Sequence, residues 1–256
     1  WLSNNKPGLR VLSSGKDPYI YQAAQNTGKS YEEIEQAVQL EEKWAVDARQ
    51  LGKAQVLGAG FGMGPDKFQI TASDQYGLKL SSEQSKAAIY AYREANAAVP
   101  QVWKNYEKAA LVAIEDRATV KINYCKFFVK NKFLWIELPS KRRLAYYEPT
   151  ITMRETDFGP RKTIEFWGVN SKTKKWAIER TWGGTLTENI VQATARDLMM
   201  PAMVRLEKKG YQALLSVHDE GICEKEIGKG SLDEFVKILC EVPAWAPGLP
   251  IEAKGW

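Results

Sequence analysis

The chain has 256 residues, 44% hydrophobic and 26% charged, the proportions of a globular chain, and its length allows one large domain or two small ones with a core of their own. Three cysteines without a CxxC spacing argue against a disulfide framework and a zinc ribbon; no apolar run reaches the ~18 residues of a membrane span, and no signal peptide is read at the start, so an intracellular protein is expected. Lys and Arg exceed Asp and Glu by 36 to 31, and the surplus is concentrated in "KFFVKNK", "SKRRL" and "SKTKK", each beside aromatic residues; such clusters are either solvated faces over aromatic packing or the lining of a nucleic-acid groove.

Residues 1–125 read as helices. In "SYEEIEQAVQLEEKWAVDARQLGKAQVLGA" a capping start, Ser30 with Glu33, precedes Tyr31, Ile34 and Val38 at helical spacing. "SSEQSKAAIYAYREANAAVPQVWKNYEKAALVAIED" is a second helical stretch, with Ser81 or Ser82 as cap and Pro100 as punctuation. Residues 126–182 change character: aromatic and β-branched residues between turn signals at Pro139-Ser140, Gly159-Pro160 and Asn170-Ser171 predict several short strands. A helix follows over 187–209, kinked or interrupted at Pro201 and closed by Gly210. Residues 211–227 read as strand, tight turn on 218–221, strand. A short helix, "SLDEFVKILCEV", and an extended end complete the chain.

Three segments have the residue types for chemistry. The apex of the last hairpin, His218-Asp219-Glu220, joins two carboxylates to the only histidine of the chain. A carboxylate held rigidly there suits Mg²⁺, which takes one or two carboxylates together with phosphate oxygens and water; the alternative is an ordinary polar turn. Arg49, Lys53, Leu57 and Phe61 step by four and fall within an arc of about 120° on a helix. Two cations, an aliphatic side chain and an aromatic ring in that order suit a nucleotide lying along the helix, phosphates first; the alternative is a frayed helix end. The glycines at 52, 58, 60 and 62 each cost ~1 kcal/mol in a helix, which close approach of a ligand or a hinge would offset. A dinucleotide-binding fingerprint is rejected, because no strand precedes these glycines. In "GGTLTENIVQATARDLMMPAM", Gln192 and Arg196 share a helix face one turn beyond Asn189; amide and guanidinium groups on one stripe can bond a nucleic-acid backbone or minor groove, or simply face water.

Taken in order, these segments resemble the family A DNA polymerases, most closely the phage and prophage type. The fingers motif of that family, Arg-x3-Lys-x7-Tyr-Gly, is matched by Arg49, Lys53, Phe61 and Gly62; its second palm motif, His-Asp-Glu after an apolar strand, by His218, Asp219 and Glu220. "YGGxLxENxxQAxARDL" of phage-type members looks like 182–198, and "LPSKRRLAYY" and "PAWAPGLP" resemble stretches of the same branch. The resemblance implies an α+β fold. Residues 1–180 would form mostly helical fingers, with a nucleotide-binding helix at about 41–62 and a small β-rich insertion at about 126–180. Residues 181–256 would form the C-terminal half of an antiparallel palm sheet packed on helices, with the catalytic hairpin at 211–227.

The function implied is template-directed DNA synthesis: nucleotidyl transfer from a dNTP to a primer 3′-hydroxyl with two Mg²⁺ ions. Asp219 would ligate metal, with Glu220 close by; Arg49 and Lys53 would hold the triphosphate; Leu57, Phe61 and Gly62 would meet the nascent base pair. Gln192, Arg196 and Asn189 would lie along primer-template DNA, with His218 at the primer end. The resemblance also implies a phage-encoded or bacterial protein of the bacterial cytoplasm, with no membrane partner. There are departures. Leu57 stands where Phe or Tyr is usual, which bears on stacking and sugar discrimination; Phe61 replaces Tyr; and Glu188 stands where bacterial members have Asn. The first palm motif, Asp-[Tyr/Phe]-Ser-x-[Ile/Val]-Glu-x-Arg, is expected just upstream of Trp1. The 256 residues are therefore expected to be inactive alone and to need an N-terminal partner segment, whether truncated, proteolysed or naturally split. The alternatives are a catalytically inactive nucleic-acid-binding accessory module and a single-subunit RNA polymerase relative, against which Glu220 argues.

Overall fold

A computed structural model of the protein describes residues 1–156 and 159–255; the strand reading of Asp157 and Phe158 and the extended reading of Trp256 lie outside them. Helices α1 (Lys6–Ser13), α2 (Pro18–Thr27), α3 (Tyr31–Gln39) and α4 (Lys43–Gly58) lead into a 3₁₀ turn, Ala59–Phe61. Helices α5 (Pro65–Tyr76), α6 (Ser82–Ala95) and α7 (Ala98–Glu115) follow. Ser30 and Ser81 are caps as expected: Ser30 accepts from the Glu33 amide at 3.1 Å, and Ser81 forms a reciprocal box with Gln84. The first helical stretch divides at 40–42, where Glu41 takes a left-handed φ of 57° that no helix continues through. The second divides at 96–97, so that Pro100 sits in the first turn of α7, where its missing N–H costs nothing.

The strands begin earlier than the composition suggests. β1 (Val120–Ile122) turns through Asn123, which has a φ of 51°, into β2 (Cys125–Lys130). β3 (Phe133–Glu137), β4 (Arg143–Arg154), β5 (Arg161–Val169) and β6 (Trp176–Thr181) complete one antiparallel sheet in sequence order. Its inner face, with Phe127, Leu134, Ile136 and Ile164 all but fully buried, packs on Tyr106 and Ala110 of α7. Each large apolar side chain removed from water there contributes about 1.5–3 kcal/mol.

Helix α8 (Gly183–Lys208) packs beside α7 and adds Leu186 and Ile190 to that core. It starts four residues before the expected point and runs through Pro201 without interruption. Proline removes only the bond to the Asp197 carbonyl, and the core contacts of Met199 and Met200 before it and of Met203 and Leu206 after it hold the helix on either side. Gly210, with a φ of 80°, ends it as predicted. β7 (Gln212–Val217) and β8 (Glu220–Glu224) form a two-stranded hairpin on α8, followed by α9 (Leu232–Leu239). Among the described residues none after α9 belongs to a regular element; Pro247 accepts from the Trp1 indole at 3.0 Å, which brings the 247 region beside the start of the chain.

Candidate functional site

The cationic face of α4 lies over the start of α2. Asp17 caps α2 by accepting from the Tyr19 and Ile20 amides, and the same carboxylate holds Arg49, at 2.9 Å from Nε and 2.7 Å from Nη2. The Tyr19 ring lies beneath both cations, its centroid 5.4 Å from the Arg49 guanidinium and 5.9 Å from Lys53 Nζ. The two helices come this close because residue 52 is glycine: a Cβ there would stand 2.3 Å from the Tyr19 carbonyl oxygen. A helix–helix contact, rather than a ligand, therefore offsets the cost of that glycine.

Further along the same face Leu57 is exposed and Phe61 half-buried. Gly62 takes a φ of 86°, and a Cβ on it would lie 2.2 Å from the Trp182 ring, so conformation and packing both demand glycine. Phe61 lines a cleft of about 330 Å³ with Val56 and Tyr92 on one side and Thr187, Val191 and Leu198 of α8 on the other. A Cβ on Gly184 would come within 2.7 Å of the Phe61 carbonyl oxygen, so the end of α4 is seated on the start of α8.

The hairpin tip is tighter than predicted. His218 and Asp219 form a two-residue turn, with Val217 paired to Glu220. His218 takes the left-handed φ of 54° that a two-residue hairpin requires. Gly221 belongs to β8, where a side chain would meet Met203 Sδ at 2.7 Å. Its glycine lets the hairpin lie flat on α8, and Glu220, one residue away, faces outward. His218, Asp219 and Glu220 are exposed, and Asp219 and Glu220 open onto a groove of about 700 Å³ shared with Phe235 and residues 252–255.

The Tyr19 phenol is itself shifted by its surroundings. Burial pushes its phenol above its ordinary range; the negative charges of Asp17 and of Asp219 push the same way, and Arg49 opposes them. Of these charges, that of Asp219 acts most weakly on the ring. On α8, Gln192 and Arg196 are exposed, with Gln192 donating to Glu188 at 3.2 Å. Asn189 is turned toward the sheet and donates to the Tyr146 hydroxyl at 3.0 Å, leaving the stripe to the other two. Among the described residues no three His, Cys, Asp or Glu side chains gather as a metal cage. The exposed acid pair fits instead a Mg²⁺ shared between one or two carboxylates, phosphates and water.

Asp17 and Tyr19 were not singled out from the sequence, and Trp182 entered only as the first residue of the 182–198 motif. "KDPY" does carry a cap-and-proline helix start, but nothing local reveals that this start lies under Arg49.

No protein-family model matches the chain. Over its whole length it is 33% identical to a DNA polymerase of Bacillus phage SP02, of which it spans 38%. Its fold is similar to the POL domain of Pol1 from M. smegmatis, solved in complex with a DNA primer-template and dNTP, at a TM-score of 0.56 and 16% identity, covering 96% of this chain and 35% of that one. From end to end, then, the chain is a relative of one portion of a phage DNA polymerase and has the fold of a polymerase domain.

Proposed function

We propose that these residues form the fingers (1–180) and the C-terminal half of the palm (181–256) of a template-directed DNA polymerase. The observation that carries this reading is the 33% identity over the whole chain to a phage DNA polymerase; with it go the cations Arg49 and Lys53 over the Tyr19 ring and the exposed acids of the hairpin tip, the two charges that a metal-bound triphosphate requires. Arg49, released from Asp17, and Lys53 neutralise the phosphates and offset the charge that develops on the leaving pyrophosphate. Leu57 and Phe61 pack on the sugar and base of the incoming nucleotide. Gln192 and Arg196 donate to primer-template DNA, Asn189 bracing their helix from behind through Tyr146, and His218 faces the primer end. Asp219, with Glu220 beside it, holds Mg²⁺, which when bound polarises the phosphate and stabilises the attacking and leaving oxygens.

A two-metal site needs more carboxylate than one exposed pair supplies, so we place the second aspartate in polypeptide outside these 256 residues. The hairpin supports this: Leu215, Val217 and Ile222 are 44–52% exposed, and a two-stranded sheet with an uncovered apolar face is only marginally stable. The phage relative, of which the chain spans 38%, has length enough to supply such a cover.

Primer extension with a labelled primer-template, dNTPs and Mg²⁺ tests the reading. Synthesis is expected when the chain is joined to the upstream polymerase segment, and it is lost in Asp219→Ala; Arg49→Ala raises the KM for dNTP. NTPs in place of dNTPs give no extension. Absence of synthesis at every Mg²⁺ or Mn²⁺ concentration in the joined protein, or activity that survives Asp219→Ala, refutes it in favour of an accessory nucleic-acid-binding module.

A further inference from the structure

The solvent side of the six-stranded sheet has no part in the site above. The strand register sets Lys130, Phe133, Tyr147, Trp167 and Ile178 in one row across β2 to β6. The next row carries Phe128 and Trp135 at one end, Val169 and Trp176 at the other. The rings form a nearly continuous band: centroids are 5.2 Å apart for Phe133 and Trp135, 5.0 Å for Phe133 and Tyr147, and 6.3 Å for Tyr147 and Trp176. The band is open to solvent, with Trp167 37%, Ile178 54% and Trp176 58% exposed. Large apolar side chains grouped on one face in this way mark an interaction surface rather than scattered exposure.

Its margins are basic. Along one edge Glu137 is ringed by Lys126, Lys141 and Arg143; along the other Glu165 is shared by Arg154 and Arg180. Each carboxylate is outnumbered by its cations. Residues 120–181 contain fourteen Lys and Arg against six Asp and Glu, a net +8, whereas the whole chain is +5. The positive charge of the protein is therefore concentrated in this segment, even though Arg142, Arg161 and Lys162 pair with acids of α8 and α7.

We propose that this face is a stacking platform for single-stranded DNA. Aromatic rings on an open sheet stack unpaired bases whatever their sequence, and flanking cations follow the phosphates. A duplex hides its base faces and cannot use the band. At about 4.8 Å between strands, β2 to β6 span roughly 19 Å, room for a short run of nucleotides. The choice of DNA rests on the function proposed above, in which an unpaired template must lie beside the fingers.

The test is anisotropy of a fluorescein-labelled oligo-dT of about 15 nucleotides, near the upper site size of single-strand-binding folds, titrated with the full chain without Mg²⁺, primer or dNTP. Trp176→Ala and Trp167→Ala are each expected to weaken binding about tenfold, the loss of one stacked base, with unchanged circular dichroism. Ile70→Ala, an exposed apolar residue on α5, leaves affinity unchanged. Binding that is the same in both tryptophan variants overturns the proposal. So does self-association, seen by sedimentation, that Trp176→Ala abolishes while oligo-dT affinity stays constant, since the face would then be an interface between copies. Tighter binding of oligo-rU overturns the assignment to DNA. The assay needs neither metal nor synthesis, so failure of the polymerase reading leaves its outcome readable.

Discussion

Gly52→Ala sets two effects of opposite sign against each other. In a helix interior alanine is better than glycine by about 1 kcal/mol, so propensity alone predicts a more stable protein. The added Cβ, however, meets the Tyr19 carbonyl oxygen at 2.3 Å and the Ala23 nitrogen at 3.2 Å. Both are backbone atoms within α2 that cannot rotate aside. Overpacking usually costs 1–3 kcal/mol, and a backbone-to-backbone clash belongs at or above the upper figure, leaving a net loss of about 2 kcal/mol. For a chain of this size that corresponds to a fall in Tm of about 4–8 °C. Thermal and urea denaturation of the variant measure it. Under the proposed function the substitution also pushes Arg49 and Lys53 away from Tyr19, so dNTP affinity falls with stability. A Tm equal to or above that of the parent would refute the reasoning, because it would mean that the close approach of α2 and α4 is not fixed by the missing side chain.

Asp17→Asn keeps a good helix cap but removes the charge that holds Arg49; a tighter dNTP complex by filter binding is expected, and unchanged affinity would exclude Asp17 as a competitor for that guanidinium. Asp197, nearly buried, accepts from Ser140 and Arg142 and so fastens the β3–β4 turn to α8. Asp197→Ala should cost about 1.5–3 kcal/mol in urea unfolding, and a double-mutant cycle with Arg142→Ala should show coupling; additive losses would mean that the two do not act together. Arg154, assisted by Arg180 and against burial, holds the Glu165 carboxyl below its ordinary value of 4.5. A lowered folded-state pKa stabilises above the unfolded value and is lost as pH falls through the folded one. Glu165→Gln should therefore lower Tm at pH 7, and the gap to the parent should close as pH drops below about 4.5; a gap independent of pH would assign the loss to packing.

The caps at Ser30 and Ser81 were legible because each is a four-residue pattern acting on its own backbone. The hairpin was legible for a similar reason, since its apolar runs flank a short polar turn. The break at Glu41 was not: no proline or glycine marks it, and the left-handed residue is held by the packing of α3 against α4. β1 was missed because three residues pair only through the strand beside them. At the site, the four-residue stepping of Arg49, Lys53, Leu57 and Phe61 was visible in the sequence. That Tyr19 underlies two of them, and that Gly62 and Gly184 both close on Trp182, depends on contacts between residues far apart in the chain.

That closure on Trp182 makes α4, with α2 locked against it at Gly52, a lever pivoted at one end. Phe61 is wedged on the start of α8, whereas Arg49 lies twelve residues back, about 18 Å away at 1.5 Å per residue. A tilt of about 10° around the wedged end would carry the guanidinium about 3 Å and Leu57 about 1 Å. Whatever swings this rod moves its charged tip far more than the ring at its pivot, so the cationic end of α4 is the end that travels.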